Sequence, residues 1–130
     1  MGATKWCVFK RINPSRAVVQ AAVQERLQRL GTNRVDLLQV HTTLHDPSYS
    51  SLITTQFHWN DYSDKGYLTA LSHLCDLKKE GLISAIGLCN FDTIRTDEIC
   101  TQLGPGAIVS NQVQVRAFVY FVFVNVVSLA

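Results

Sequence analysis

The stretch GLISAIGLCNFD, residues 81–92, decides how this chain folds. Its middle, Leu82–Leu88, is a short apolar run of the kind that forms a buried strand. The preceding segment, Gly66–Glu80, repeats apolar residues at helical spacing and ends in lysines, which suit the last turn of a helix. Asp92 or Thr93 is placed to cap a further helix at Thr93–Leu103. A strand between two helices is typical of a parallel sheet, because parallel neighbours need a long crossover.

The same alternation extends in both directions from this stretch. The strand-like apolar runs are Ala3–Phe9, Val35–Val40, Leu82–Leu88 and Ala107–Gln112. The intervening helix candidates are Pro14–Leu30, which we expect Asn13 to cap, Gly66–Glu80 and Thr93–Leu103. The sequence therefore predicts one α/β domain with about four parallel strands. In such a sheet, functional residues lie at the carboxyl ends of the strands.

Composition excludes several kinds of partner. A net charge of +2 is too small to predict binding to nucleic acid or an anionic membrane. Arg16, Arg26, Arg29 and Arg34 are expected to form a solvated face. The apolar tail, Ala117–Ala130, is shorter than the roughly 20 residues that span a bilayer.

The cysteines also limit the function. None of Cys7, Cys75, Cys89 and Cys100 forms a C-x-x-C pair, and none has zinc spacing with a histidine. We therefore expect no metal site. Unpaired, small, buried cysteines are typical of a reducing compartment, so we expect a cytoplasmic protein.

Four motifs resemble the aldo-keto reductase family. They are Thr4-Lys5-Trp6, the run LQRLGTNRVDLLQ at 27–39, the run GLISAIGLCNFD at 81–92, and SNQVQ at 110–114. In order and spacing they match the third to sixth strands of that family's barrel. The resemblance implies a partial (β/α)8 TIM barrel, a fold that in full needs about 250 residues. The family's first two strands, with a catalytic aspartate and tyrosine, and its last two have no counterpart here.

Two stretches depart from the family pattern. Joining Gln39 directly to Phe57 improves the match, so residues 40–56 are interpreted as an insert within a domain at 1–114, and residues 115–130 as a divergent tail. Both stretches begin with valine, whose codons start with the dinucleotide that opens an intron. We hypothesise that both are translated intron sequence, which transcript sequencing across the junctions tests.

The resemblance assigns roles to residues that otherwise have ordinary explanations. Lys5, at first sight a solvated strand-end charge, matches the catalytic lysine. His41 directly follows a strand, and His58 has the better downstream context; either matches the catalytic histidine, with His58 favoured. Ser110, Asn111 and Gln112 could form a turn, but they match the segment that binds the nicotinamide carboxamide. Asn90, where another strand ends, is the remaining candidate cofactor contact, and the family has serine where this chain has Cys89.

The resemblance implies an NADPH-dependent reductase that converts aldehydes or ketones to alcohols by hydride transfer, with NADH not excluded. Because the acid is missing, we expect weak or no activity from this chain alone. The alternatives are a non-catalytic half-barrel that forms homo-oligomers through open sheet edges, or a mis-spliced gene product.

Overall fold

The computed structural model describes residues 2–8, 12–42, 64–117 and 120–128, and from residue 114 onward it describes the backbone alone. The elements are β1 (Ala3–Cys7), α1 (Arg16–Leu30), β2 (Val35–His41), α2 (Gly66–Lys79), β3 (Ile83–Cys89), α3 (Thr93–Leu103), β4 (Ile108–Ala117) and β5 (Tyr120–Ser128). The strands form one sheet in the order β1-β2-β3-β4-β5. The pairs β1–β2, β2–β3 and β3–β4 are parallel. The predicted α/β class with four parallel strands is therefore confirmed.

Side-chain caps begin α1 and α3. The cap of α1 is Ser15, whose hydroxyl accepts a hydrogen bond from the Val18 N–H at 3.4 Å. The prediction of an Asn13 cap was wrong, because the extended backbone continues through Ser15 before the helix begins. Gly31 ends α1 at φ 63°, as its position predicts. Helix α3 has its predicted bounds, with Asp92 as the cap.

One face of the sheet is buried under the helices. Helix α1 contributes Val19, Val23 and Leu27 to the core, whereas Leu30 is 39% exposed. The predicted solvated arginine face is wrong for Arg26. Its side chain is only 12% exposed, and Nε donates to the Lys5 carbonyl at 3.2 Å. Burial lowers the pKa of the Arg26 guanidinium.

The apolar tail contributes a strand of opposite direction. β4 continues past the predicted end at Gln112 to Ala117, and β5 returns along it in antiparallel register from Ala117↔Tyr120 to Ser110↔Ser128. β5 therefore lies next to β4, where an all-parallel barrel would have its next parallel strand.

No helix in the described ranges has the length and apolarity needed to cross a bilayer.

Candidate functional site

The candidate site lies on the face of the sheet that the helices leave uncovered. Strand residues alternate between the two faces, and Trp6, Val40 and Leu88 point toward the helices, where they are buried in the core. Their neighbours therefore point the other way. The register aligns two rows on this open face, which we call the inner row (Lys5, Gln39, Gly87, Ser110) and the outer row (Cys7, His41, Cys89, Gln112). The outer row lies nearer the carboxyl ends of the parallel strands.

Burial and the charge of Lys5 together shift the pKa values on this face. Burial raises the pKa of the Cys89 thiol, while the charge of Lys5 and its hydrogen bond to that thiol oppose the change. Burial lowers the pKa of His41, and the charge of Lys5 lowers it further. The imidazole is therefore neutral at neutral pH, and a neutral imidazole donates a hydrogen bond from one ring nitrogen.

The thiols of the outer row are free. Cys7 and Cys89 flank His41 on the two strands beside β2, so their Cα atoms are separated by two strand spacings, about 9.6 Å. A disulfide needs Cα atoms within about 7 Å, so these thiols cannot pair without backbone movement.

Gly87 and Ser110 are closely packed within the inner row. A Cβ at Gly87 would lie 2.7 Å from Ser110 Oγ, closer than real side chains allow. Ser110 is 4% exposed, and its hydroxyl makes no hydrogen bond to any residue that the structure describes. Glycine is therefore required at this position, where β3 pairs with β4.

A turn after β3 brings Asn90 to the end of the outer row. Asn90 has φ 61°, and its N–H donates to the Gln112 carbonyl at 2.8 Å. Asn111 faces the helices instead. Its Nδ2 donates to the Phe91 carbonyl at 2.9 Å and to Thr96 Oγ1 at 3.2 Å.

The structure thus brings together most of the residues predicted for the site. Lys5, His41, Ser110 and Gln112 share the open face, and Asn90 follows directly from it. Asn111 lies on the opposite face, because alternation turns the residue between Ser110 and Gln112 toward the helices. His58 lies outside the described residues.

Two contributors were not predicted as site residues. Gly87 and Cys89 occupy the inner and outer rows on β3, and counting back by two from the strand end would have found both. Trp6 is 6% exposed and lies within the core.

Tyr67 is the one tyrosine whose side chain the structure describes, and it serves another purpose. Its hydroxyl donates to Glu98 Oε2 at 3.0 Å, and its ring lies 5.7 Å from that of Phe91. Tyr67 is packed between α2 and α3 on the helix side of the sheet. It therefore offers no phenol to the open face.

No group of three or more histidine, cysteine or acidic residues in the described ranges could hold a metal ion.

Comparisons with known proteins by sequence and by structure give consistent matches. The model of the aldo/keto reductase family matches residues 1–119. The methylglyoxal reductase DkgA of Yersinia pestis is 29% identical over 97 residues, which are 75% of this chain and 28% of that reductase. An aldo-keto reductase of Bacillus halodurans in its holo form is 26% identical, with a TM-score of 0.59 over 87% of this chain and 31% of that protein. The aldo-keto reductase of Bombyx mori in complex with NADP shares the fold, with 24% identity and a TM-score of 0.62 over 87% of this chain and 32% of that one. The chain thus spans less than a third of the length of these relatives.

Proposed function

Because the chain belongs to the aldo/keto reductase family, we propose that it carries part of the active site of an NADPH-dependent reductase of aldehydes and ketones. The observation that carries this proposal is the gathering of Lys5, neutral His41 and Gln112 at the carboxyl end of one open sheet face. The substrate class is a small carbonyl compound.

The open face fits the nicotinamide end of such a cofactor. A carboxamide presents one acceptor and an NH₂ donor, and the Gln112 amide complements both. Ser110 adds a buried hydroxyl without a partner among the described residues, and Asn90 lies beside Gln112 through their backbone hydrogen bond. We therefore assign the cofactor contacts to Asn90, Ser110 and Gln112. Asn111 was also predicted as a contact, and we treat its role separately below.

The residues of this chain supply orientation and charge. When bound, the reduced nicotinamide supplies the hydride. His41 donates a hydrogen bond to the substrate oxygen and so fixes the carbonyl. By resemblance to the family, His58 is the alternative residue for this role. By resemblance to the family, Lys5 lowers the pKa of a tyrosine that protonates that oxygen.

The proton donor limits the activity that we propose for this chain alone. The described tyrosine, Tyr67, is held by Glu98 on the helix side. Losing a general acid costs about 10²–10⁴-fold in rate. We therefore propose that the chain binds and orients a nicotinamide cofactor but reduces carbonyls weakly or not at all.

Calorimetric titration of the purified chain with NADPH and with NADH tests this function. We expect NADPH to bind, more tightly than NADH, and Gln112→Ala to weaken binding, because the Gln112 amide is the proposed partner of the carboxamide. Gln102→Ala is the matched control, because Gln102 lies near the end of α3 and is exposed. Absence of binding by either nucleotide would refute the proposal. Turnover of an aldehyde that Lys5→Met abolishes would refute the low activity.

A second candidate is association through an open sheet edge. The edge of β1 is partly covered, since Arg26 donates to the Lys5 carbonyl. The other edge is β5, whose sequence YFVFVNVVS contains no charged residue, proline or glycine. Natural edges usually carry such residues to prevent pairing. We propose that β5 pairs with a second copy of this chain to form a homo-oligomer.

Sedimentation velocity tests this edge pairing. A concentration-dependent dimer that Val124→Lys converts to monomer supports edge pairing, with Val109→Lys on β4 as the control. A monomer at all concentrations contradicts it. Large heterogeneous aggregates favour the mis-spliced product, with foreign stretches at 40–56 and 115–130. We further propose a cytoplasmic location, because the cysteines are free thiols.

A further inference from the structure

We propose that Asn111 is a positioning residue, which holds the turn Asn90–Phe91 so that Asn90 meets the nicotinamide end of the cofactor. The holding of the turn rests on the contacts of β4 alone. Its effect on the cofactor rests on the proposed function.

The turn needs holding because its backbone is unusual. Asn90 is the one non-glycine residue in the described ranges with positive φ, at 61°. L-residues avoid this region, and asparagine tolerates it better than most. A residue in such a conformation persists when the surrounding structure determines it.

Two consecutive residues of β4 form hydrogen bonds with the two ends of the turn. Before the turn, the Asn90 N–H donates to the Gln112 carbonyl at 2.8 Å. After it, the Phe91 carbonyl accepts from Asn111 Nδ2 at 2.9 Å, and this hydrogen bond is buried. The peptide groups on either side of the Asn90–Phe91 pair are thereby fixed, which leaves the dihedral angles between them little freedom.

The chain beyond the turn is also anchored. Asp92 Oδ1 accepts from the Arg95 N–H at 2.9 Å, and the Arg95 guanidinium lies 4.9 Å from the centre of the Phe91 ring. Helix α3 therefore starts from a fixed point. If Asn111 were released, the turn could adjust only between this point and Cys89, which would move Asn90.

The same contacts argue against Asn111 as a direct ligand. Its Nδ2 already donates to the Phe91 carbonyl and to Thr96 Oγ1, and its Oδ1, which has no partner among the described residues, is buried on the helix side of the sheet. Asn111 is 7% exposed and faces the helices. A cofactor on the open face would be separated from this amide by the sheet itself.

Hydrogen exchange of individual amides tests the proposal in the full chain. The variants are Asn111→Leu, which removes both hydrogen bonds, and the control Thr96→Val, which removes only the 3.2 Å bond to Thr96. If Asn111→Leu does not fold, Asn111→Ser replaces it. The readouts are the exchange rate of the Asn90 amide relative to that of Leu88 in β3, and the dissociation constant for NADP⁺.

We expect Asn111→Leu to speed exchange at Asn90 at least tenfold more than at Leu88, whereas Thr96→Val changes both alike. We also expect Asn111→Leu to weaken NADP⁺ binding about tenfold or more. Equal acceleration at both amides would overturn the proposal, because a merely structural role lowers protection uniformly. If the unmodified chain does not bind NADP⁺, the proposed function fails, while the exchange comparison still decides whether Asn111 holds the turn.

Discussion

Substituting Gly87 by alanine should destabilise this protein through a single close contact. The new Cβ would lie 2.7 Å from Ser110 Oγ and 3.3 Å from Gln39 Cγ. Contacts below 3.0 Å are not found for real Cβ atoms, so one of the partners must move. Ser110 is 4% exposed and paired opposite Gly87, so its hydroxyl has little room to rotate away.

Overpacking of this kind typically costs about 1–3 kcal/mol, a roughly 5- to 150-fold loss in the folding equilibrium constant. Because the closest atom is the hydroxyl oxygen, Ser110→Ala should recover most of that loss in the double variant. Ser110→Ala alone should change stability by no more than about 0.5 kcal/mol, since the hydroxyl makes no hydrogen bond among the described residues.

Urea unfolding followed by circular dichroism measures all three variants against the unmodified chain. The reasoning would be refuted if Gly87→Ala unfolded at the same urea concentration as the parent. It would equally be refuted if the double variant were as unstable as Gly87→Ala, because the strain would then arise elsewhere.

Three further predictions concern titrating groups. Burial and the hydrogen bond to Glu98 raise the pKa of Tyr67 from 10.0 to about 12. The free energy of unfolding should therefore decrease as the pH rises between those values, because the unfolded chain loses the phenol proton first. Urea unfolding at pH values across this window should show a smaller decrease for Tyr67→Phe. Burial by itself would raise the pKa of Asp92, but hydrogen bonds and charge from Arg95 lower it overall. The contribution of Asp92 to stability is therefore present above pH 3.8 and is lost as the pH falls through its lower folded pKa. Asp92→Ala should decrease the free energy of unfolding by roughly 2–4 kcal/mol at neutral pH and remove this dependence of stability on acid pH. In an NMR titration, the pKa of His41 should lie below 6.5, and Lys5→Met should move it upward. An unchanged His41 pKa in that variant would contradict the charge coupling.

The parallel part of the fold follows from local sequence signals. The strand at 81–92 lies between a lysine-rich helix end and an aspartate cap, and α3 begins and ends where those signals predict. The α1 cap was misplaced, because Asn13 and Ser15 are both good caps and the sequence does not rank them.

The last strand was beyond sequence reasoning. β4 and β5 are joined through Phe118-Val119, which contains none of the turn residues that mark a hairpin. An uninterrupted apolar run could equally be read as one long strand. Only the pairing of β5 with β4 separates these possibilities, and pairing is a tertiary property.

At the site, the residue types were predicted better than the face of the sheet on which each side chain lies. Ser110, Asn111 and Gln112 were taken as one group, although successive strand residues must face opposite sides. The bulge between Ile86 and Gly87 shifts the register of β4 by one residue, so the facing side of each could not be read from spacing alone.

The direction of β5 has a consequence for pairing this chain with a polypeptide that supplies further barrel strands. Any polypeptide that supplied the following parallel strand would find its docking position on β4 already occupied. Complementation would therefore require strand exchange, in which β5 dissociates from β4 before the added strand can pair with it. A chain that ends at Ala117 lacks β5 and should accept the added strand more readily.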